Sequence, residues 1–307
     1  MTLPSIGEFE LQGEKDYMED RTTACFLESG ALFAGVYDGH GGAASAEFAM
    51  ASLHNSIPAY SSQNELASAL VESFHATSEA FVAAHPKDES GTTAVVAVVS
   101  GGVLLVANAG DSRAVICSTA GVAETITTDH KPDGGDELAR IESLGGVYDD
   151  FCGGVEAPDG SQYLKCARSL GDAKYKVGPR DQHLVCATPE VFTRALTEAD
   201  DFLLLASDGV WDVLSDQKAC NVVRASSEAN ARVEDSRSVA TAAAEAVVRA
   251  AHEAGSEDNI SAVVLLLRHL PSLDAAQVHS PSTRDDRPSP GSTRRSWYVS
   301  YLKQQQG

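Results

Sequence analysis

The chain has 307 residues, long enough for one large domain or two modest ones, and its 43% apolar content is ample for a sizeable core. With 44 acidic against 23 basic residues its formal net charge is −21, a field that repels nucleic acid and anionic membrane. No apolar run approaches the roughly 20 residues of a membrane-spanning helix, and the six cysteines stand singly without a C-x-x-C, as reduced thiols do rather than a disulfide framework or a zinc site.

The start, "MTLPSIGEFE", has no basic or apolar leader pattern and no Gly at position 2, so neither secretion nor myristoylation is expected. A cytoplasmic or nuclear monomer is the expectation. Residues 22–37 read as two strands around the turn at Ser29-Gly30. After Gly42 the pattern changes to "AASAEFAMASLHNSI", apolar at helical spacing. A second helix is expected from about Asn64 to His85, with Leu66, Leu70, Phe74 and Phe81 along one face. The stretch "GTTAVVAVVSGGVLLVANAGDSRAVICSTAGVAETITT" reads as a meander of three or four strands, with "SGTT" the start of a core strand. Short turns between these strands imply antiparallel pairing.

A helix is expected over roughly Gly135 to Leu144, capped by Gly145. "DFLLLASDG" is a buried strand, "SVATAAAEAVVRAAHEAG" a helix stopped by Gly255, and "ISAVVLLLRHL" a last strand ended by Pro271. Residues 271–307, rich in Ser, Pro and Arg, read as a disordered tail, with Ser280-Pro281 and Ser289-Pro290 as possible kinase sites or plain linker. The expectation is one domain over 1–270. Its fold class is α+β: two packed antiparallel sheets, a β-sandwich, flanked by pairs of helices in an α/β/β/α order.

Three aspartates end apolar strands: Asp38 after "LFAGVY", Asp111 after "VLLVANAG" and Asp208 after "FLLLAS". Taken singly, each is the ordinary turn or N-cap residue. For Asp38 and Asp208 the hairpin reading is weak, because helical patterns follow them. Further carboxylates lie at Glu19-Asp20 in "DYMEDR" and at Asp258 in "GSEDNIS". Were these groups to converge, with few Lys or Arg beside them, their repulsion would call for a hard divalent cation, Mg²⁺ or Mn²⁺.

The order of the short motifs is more specific than any one of them. "MED", "YDGHGG", "SGTTAVV", "NAGDSRAV", "DHKP", "RSLGD", "LASDGVWDV" and "DNIS" follow one another from Met18 to Ser261. In this the chain resembles the metal-dependent Ser/Thr protein phosphatases of type 2C over essentially the whole domain. The resemblance implies hydrolysis of phosphoserine and phosphothreonine in proteins by a metal-activated water at a dinuclear Mg²⁺ or Mn²⁺ centre. It implies no phosphoenzyme, and a third, weaker ion. On this resemblance Asp38 bridges the two main ions with help from the Gly39 carbonyl. Glu19 binds one ion; Asp208 and Asp258 bind the other. Asp111 shares the third ion with Asp208, while Asp20 and Asp212 orient waters. His40 is implied as the general acid for the leaving oxygen.

In the family pattern an Arg usually stands where this chain has Lys15, separated from "MED" by two residues. Lysine brings a point charge without Arg's two-pronged grip, so a weaker phosphate clamp is expected. "DHKP" and "RSLGD" read as scaffold, with Arg168 and Asp172 as a bracing pair. The stretch 173–182, "AKYKVGPRDQ", is locally basic and is the candidate loop for meeting acidic groups beside a phosphosite. A partner-binding protein without turnover, and a hydrolase of small phosphoesters, remain as alternatives.

Overall fold

The computed structural model describes residues 6–57, 62–230, 232–233 and 235–267. The domain limit at 270, the strand end at Pro271 and the tail with Ser280 and Ser289 lie outside the described residues. The chain enters through β1 (Ile6–Leu11), then forms the hairpin β2 (Arg21–Phe26) and β3 (Leu32–Tyr37). A two-residue strand, β4 (Gly39–His40), precedes helices α1 (Ala44–Ser56) and α2 (Gln63–Ala84). The Ser62 side chain caps α2 by accepting from Glu65 N, and Leu66, Leu70, Phe74 and Phe81 are all buried as their spacing predicts.

Five strands follow: β5 (Gly91–Thr92), β6 (Ala94–Ser100), β7 (Val103–Ala109), β8 (Arg113–Ser118) and β9 (Ala123–Thr125). Helix α3 (Gly135–Ser143) leads to β10 (Tyr148–Asp149), β11 (Gly154–Glu156), β12 (Tyr163–Leu164) and β13 (Leu170–Gly171). Two single 3₁₀ turns, Ala173–Tyr175 and Arg180–Gln182, come next. Then come β14 (Glu190–Ala195), β15 (Asp200–Ala206), α4 (Asp208–Trp211), α5 (Asp216–Ala229), α6 (Ser236–Glu253) and β16 (Ile260–Leu266).

Two five-stranded sheets, ordered β1-β16-β15-β8-β9 and β14-β7-β6-β3-β2, are antiparallel throughout. Alternate side chains of each central strand serve different layers. On β3, Leu32, Ala34 and Val36 meet Leu203, Leu205, Val263 and Leu265 between the sheets. Phe33 and Tyr37 face the other way, among Leu53, Leu70 and Phe74 of α1 and α2. On β16, Ala262, Val264 and Leu266 pack outward against Val223, Val247 and Ala251 of α5 and α6. Both faces are dry, so the central strands read as unbroken apolar runs instead of alternating ones. The α/β/β/α sandwich is therefore the architecture.

The expected meander divides. The β6–β7 hairpin belongs to one sheet and β8–β9 to the other, and the chain changes sheets through 110–112. "SGTT" does not simply begin a core strand, since Gly91 and Thr92 form β5 in a separate small sheet, β13-β5-β4. Nor does Asp38 lead directly into a helix, because β4 intervenes. The six cysteines are free, and among the described residues no helix is long and apolar enough to cross a membrane.

Candidate active site

The strand register brings the end of β3, the β7–β8 crossover, the start of α4 and the start of β16 to one end of the sandwich. Asp38, Asp111, Asp208 and Asp258 ride on these four places. Asp38 sits at the β3–β4 kink, where its carbonyl accepts from Thr93 N at 2.9 Å and its own N donates to Thr93 Oγ1 at 3.3 Å. Burial and then the charges of Asp20, Asp208, Asp111 and Asp258 hold the Asp38 carboxyl well above its ordinary range. Asp208 is raised by burial, Asp212 and Asp258, and shares a hydrogen bond with Asp38. Burial, followed by Asp208, lifts Asp111 to about 7.

Asp20 is 1% exposed. One of its oxygens accepts from Ser261 Oγ at 2.7 Å, while Oδ1 is buried without a partner. Burial, in spite of the Ser261 and Ser207 hydroxyls, pushes it to about 7. Asp212 lies at the open rim, 3.4 Å from Lys131 Nζ. Glu19 is tied differently: its Oε1 accepts from Gly42 N at 2.5 Å, and its backbone N donates to Asn259 Oδ1 at 2.7 Å. Gly39 is packed so closely on the Glu19 carbonyl that a Cβ there would lie 2.4 Å from it. That is a backbone reason for glycine which the motif alone does not reveal.

Among the described residues no three His, Cys, Asp or Glu side chains already close on one point as a ligand set. The donor chemistry nevertheless fits a hard cation: mutually repelling carboxylates and an orphaned carboxylate oxygen. Mg²⁺ keeps much of its water shell, so it needs few direct protein contacts. Lys15 Nζ stands 2.7 Å from Asp258 Oδ1 at the rim. Partial burial opposes its charge, but Asp258, Asp38 and Asp208 outweigh that and hold the ammonium above its ordinary value.

His40 projects from β4, and its Nε2 lies 3.0 and 3.1 Å from the two carboxylate oxygens of Asp172. Asp172 also accepts from Ser169 Oγ and is 2% exposed. Burial works against a charged imidazole, yet Asp172 raises His40 above its usual range. Burial likewise works against the Asp172 carboxylate, but His40, Lys176 and Ser169 keep it below its own. Asp172 is the one non-glycine residue with positive φ, 49°, among the described residues, a strained conformation of the sort held at functional sites. Gly91 makes room for the pair: a Cβ there would lie 1.9 Å from Asp172 Oδ2 and 2.4 Å from His40 Nε2.

Gly91 is the site residue that sequence reasoning missed, and Asp172, expected as a brace, has a different partner from the expected one. The expected Arg168–Asp172 pair does not form. Arg168 instead donates from Nε to Glu137 Oε1 at 2.7 Å and lies 3.7 Å from Glu190. The only available signal was the buried-looking Asp of "RSLGD", and nothing local says that its partner lies 132 residues upstream. In the "DHKP" stretch Asp129 is clasped by Arg113 at 2.7 and 3.0 Å, while Lys131 faces the site, 3.4 Å from Asp212 and within electrostatic reach of Asp111 and Asp208. The basic loop 173–182 is not free to meet an acidic partner. Lys174 pairs with Glu89 at 2.8 Å, Arg180 with Glu79 and Glu72, and half-buried Lys176 faces Asp172 and Ser169.

A family model described as protein phosphatase 2C matches residues 5–260. The chain is 37% identical over 268 residues to "Probable protein phosphatase 2C 25" of Arabidopsis thaliana, covering 84% of this chain and 63% of that protein. It is 36% identical over 267 residues to "Probable protein phosphatase 2C 2" of the same plant, covering 84% and 66%. The chain thus spans just under two thirds of the length of these relatives. Its fold is similar to a serine-threonine phosphatase 2C from Toxoplasma gondii, with TM-score 0.71, 23% identity and coverage of 87% and 98%. It is also similar to a C. elegans sex determining protein, with TM-score 0.75, 23% identity and coverage of 90% and 67%. The matched stretch contains every carboxylate of the cluster together with His40 and Asp172, and the chain belongs to the protein phosphatase 2C family.

Proposed function

We propose that this chain is a metal-dependent phosphatase that transfers the phosphoryl group of phosphoserine and phosphothreonine in proteins directly to water, without a phosphoenzyme. The observation that carries the reading is the gathering of Asp20, Asp38, Asp111 and Asp208 at one end of the sandwich, each raised first by burial and then by neighbouring carboxylates. Asp38 and the Gly39 carbonyl would hold two Mg²⁺ or Mn²⁺ ions between them, with Glu19 on one and Asp208 and Asp258 on the other. Asp111 and Asp208 would hold a third, weaker ion. When bound, such ions lower the pKa of water and neutralise charge on a phosphoryl group.

The chain's own groups do the rest. The orphaned Oδ1 of Asp20 and the rim carboxylate of Asp212 are acceptors that can orient water. Lys15 offers the phosphate a point charge at the rim. Asp172 holds His40 at Nε2 and favours its charged form, which leaves Nδ1 to hand a proton to the departing seryl or threonyl oxygen. The products are the free hydroxyl and inorganic phosphate.

Phosphate release from a phosphothreonine peptide tests the reading. Release is expected with Mn²⁺, none with EDTA, and a loss of at least about 10²-fold in Asp208→Ala, together with weaker Mn²⁺ binding by calorimetry. Absence of metal-dependent release overturns it. Release from small diesters but not from phosphopeptides transfers the reading to a small-phosphoester hydrolase.

A further inference from the structure

An open groove of about 930 Å³ lies between the end of α3, the β10-β11-β12 sheet and the 3₁₀ turns that follow Asp172. Leu144, Val147, Pro158 and Val177 form its apolar walls, and Glu156 and Asp159 are its acidic ones. Val147 and Val177 are 54% and 65% exposed, large aliphatic surface left in water. Tyr175 forms part of the inner wall, and its backbone N donates to the Asp172 carbonyl at 3.0 Å. One wall residue of the groove is therefore one 3₁₀ turn, roughly 6 Å of chain, from Asp172, whose carboxylate holds His40.

The charge around the groove that no lysine or arginine pairs with is negative. Asp133, Asp149 and Asp150 lie within electrostatic reach of Tyr148, next to Val147. Among the described residues no lysine or arginine forms an ion pair with Glu156, Asp133, Asp149 or Asp150. Lys174, whose charge reaches Asp159, is already paired with Glu89. The loop 173–182, basic in sequence, thus contributes little free positive charge, and the uncompensated charge here is negative.

We infer that this groove seats the substrate polypeptide beside its phosphorylated residue, and that it takes a segment carrying Lys or Arg around one aliphatic side chain. The inference rests on the phosphatase reading above and adds the class of sequence that the site prefers. The aliphatic side chain covers Val147 and Val177, and the cations meet Glu156 and Asp159.

The test uses two phosphothreonine peptides that differ only in their flanks, Arg/Lys with Leu in one and Asp/Glu with Ser in the other, at low and moderate salt with Mn²⁺. The wild-type protein is expected to favour the basic peptide roughly tenfold in kcat/KM, and the ratio should shrink as salt is added. In Glu156→Lys/Asp159→Lys the ratio should fall to about one or invert, and Val177→Ala should lower it by roughly threefold. A wild-type ratio near one, or a ratio that the charge reversal leaves in place, overturns the docking inference. Hydrolysis of p-nitrophenyl phosphate by the wild-type protein separates the two failures. If that ester is cleaved while the peptides are treated alike, only the docking inference falls; if neither ester nor peptide is cleaved, the phosphatase reading falls and the inference with it.

Discussion

Lys15 and Lys131 are the lysines paired with carboxylates of the cluster, and Lys15 already spends its ammonium on Asp258 at 2.7 Å. A point charge must be shared between that carboxylate and an arriving phosphate, whereas a guanidinium fork can serve both. Lys15→Arg should therefore lower KM for a phosphopeptide about three- to tenfold with kcat within about twofold, read from initial rates. An unchanged KM would remove Lys15 from phosphate binding. The Asp172–His40 contact carries a different prediction. Asp172→Asn keeps a hydrogen-bonding group but removes the charge that raises His40. A general acid matters most where the leaving oxygen must be protonated, so kcat should fall about 10²-fold on a phosphothreonine peptide. It should fall far less on p-nitrophenyl phosphate, whose leaving group departs as an anion. His40 acts protonated and its pKa drops in the variant, so the alkaline limb of the rate profile should move to lower pH. An equal loss on both substrates, with no movement of that limb, would reduce Asp172 to a structural role.

The small β13-β5-β4 sheet assembles this pair. His40 lies opposite Gly91 on one side of β5, and Gly171, just before Asp172, lies opposite it on the other. Gly91→Ala would place a Cβ inside contact distance of both Asp172 and His40. Overpacking of this kind costs about 1–3 kcal/mol, so thermal melting should show a Tm lower by roughly 2–10 °C. Phosphopeptide turnover should fall more than that loss of stability explains. A variant with normal Tm and turnover would show that the site has slack. Long helices and dry strands were legible because 3.6-residue and apolar-run periodicities are local properties, as Leu66, Leu70, Phe74 and Phe81 show. Two-residue strands such as β4, β5 and β13 have no period to read. Their existence depends on partners about 50 to 80 residues away.

The net charge of −21 makes burial of still more carboxylate a whole-molecule problem. Asp20 and Asp111 titrate near 7 in the folded chain against 3.8 for an unperturbed Asp. A raised acid stabilises the fold at low pH, and that contribution is lost as pH rises from about 4 to about 7. Divalent cations bind the ionised form, so what they add should grow over the same window. The difference in Tm between Mn²⁺ and EDTA samples should be close to zero near pH 5 and reach about 5 °C or more near pH 7.5. Histidines 54, 75, 130 and 183, held low by burial, lose stability as pH falls. They do so equally in both samples and cancel. A pH-independent difference would mean that the cluster does not hold the cation.

The order of motifs from Met18 to Ser261, the apolar strands and the helix periodicities identified the family and the sandwich before any coordinates, because each is written in neighbouring residues. The convergence of the aspartates came from strand register, since antiparallel pairing brings residues far apart in sequence to one end of two sheets. Only tertiary structure could decide that Asp172 serves His40 rather than Arg168. The same holds for the basic loop at 173–182, whose Lys174 and Arg180 are taken up by Glu89, Glu79 and Glu72, far away in the sequence. A sequence records which charges a chain carries, and the fold decides which of them are left unpaired.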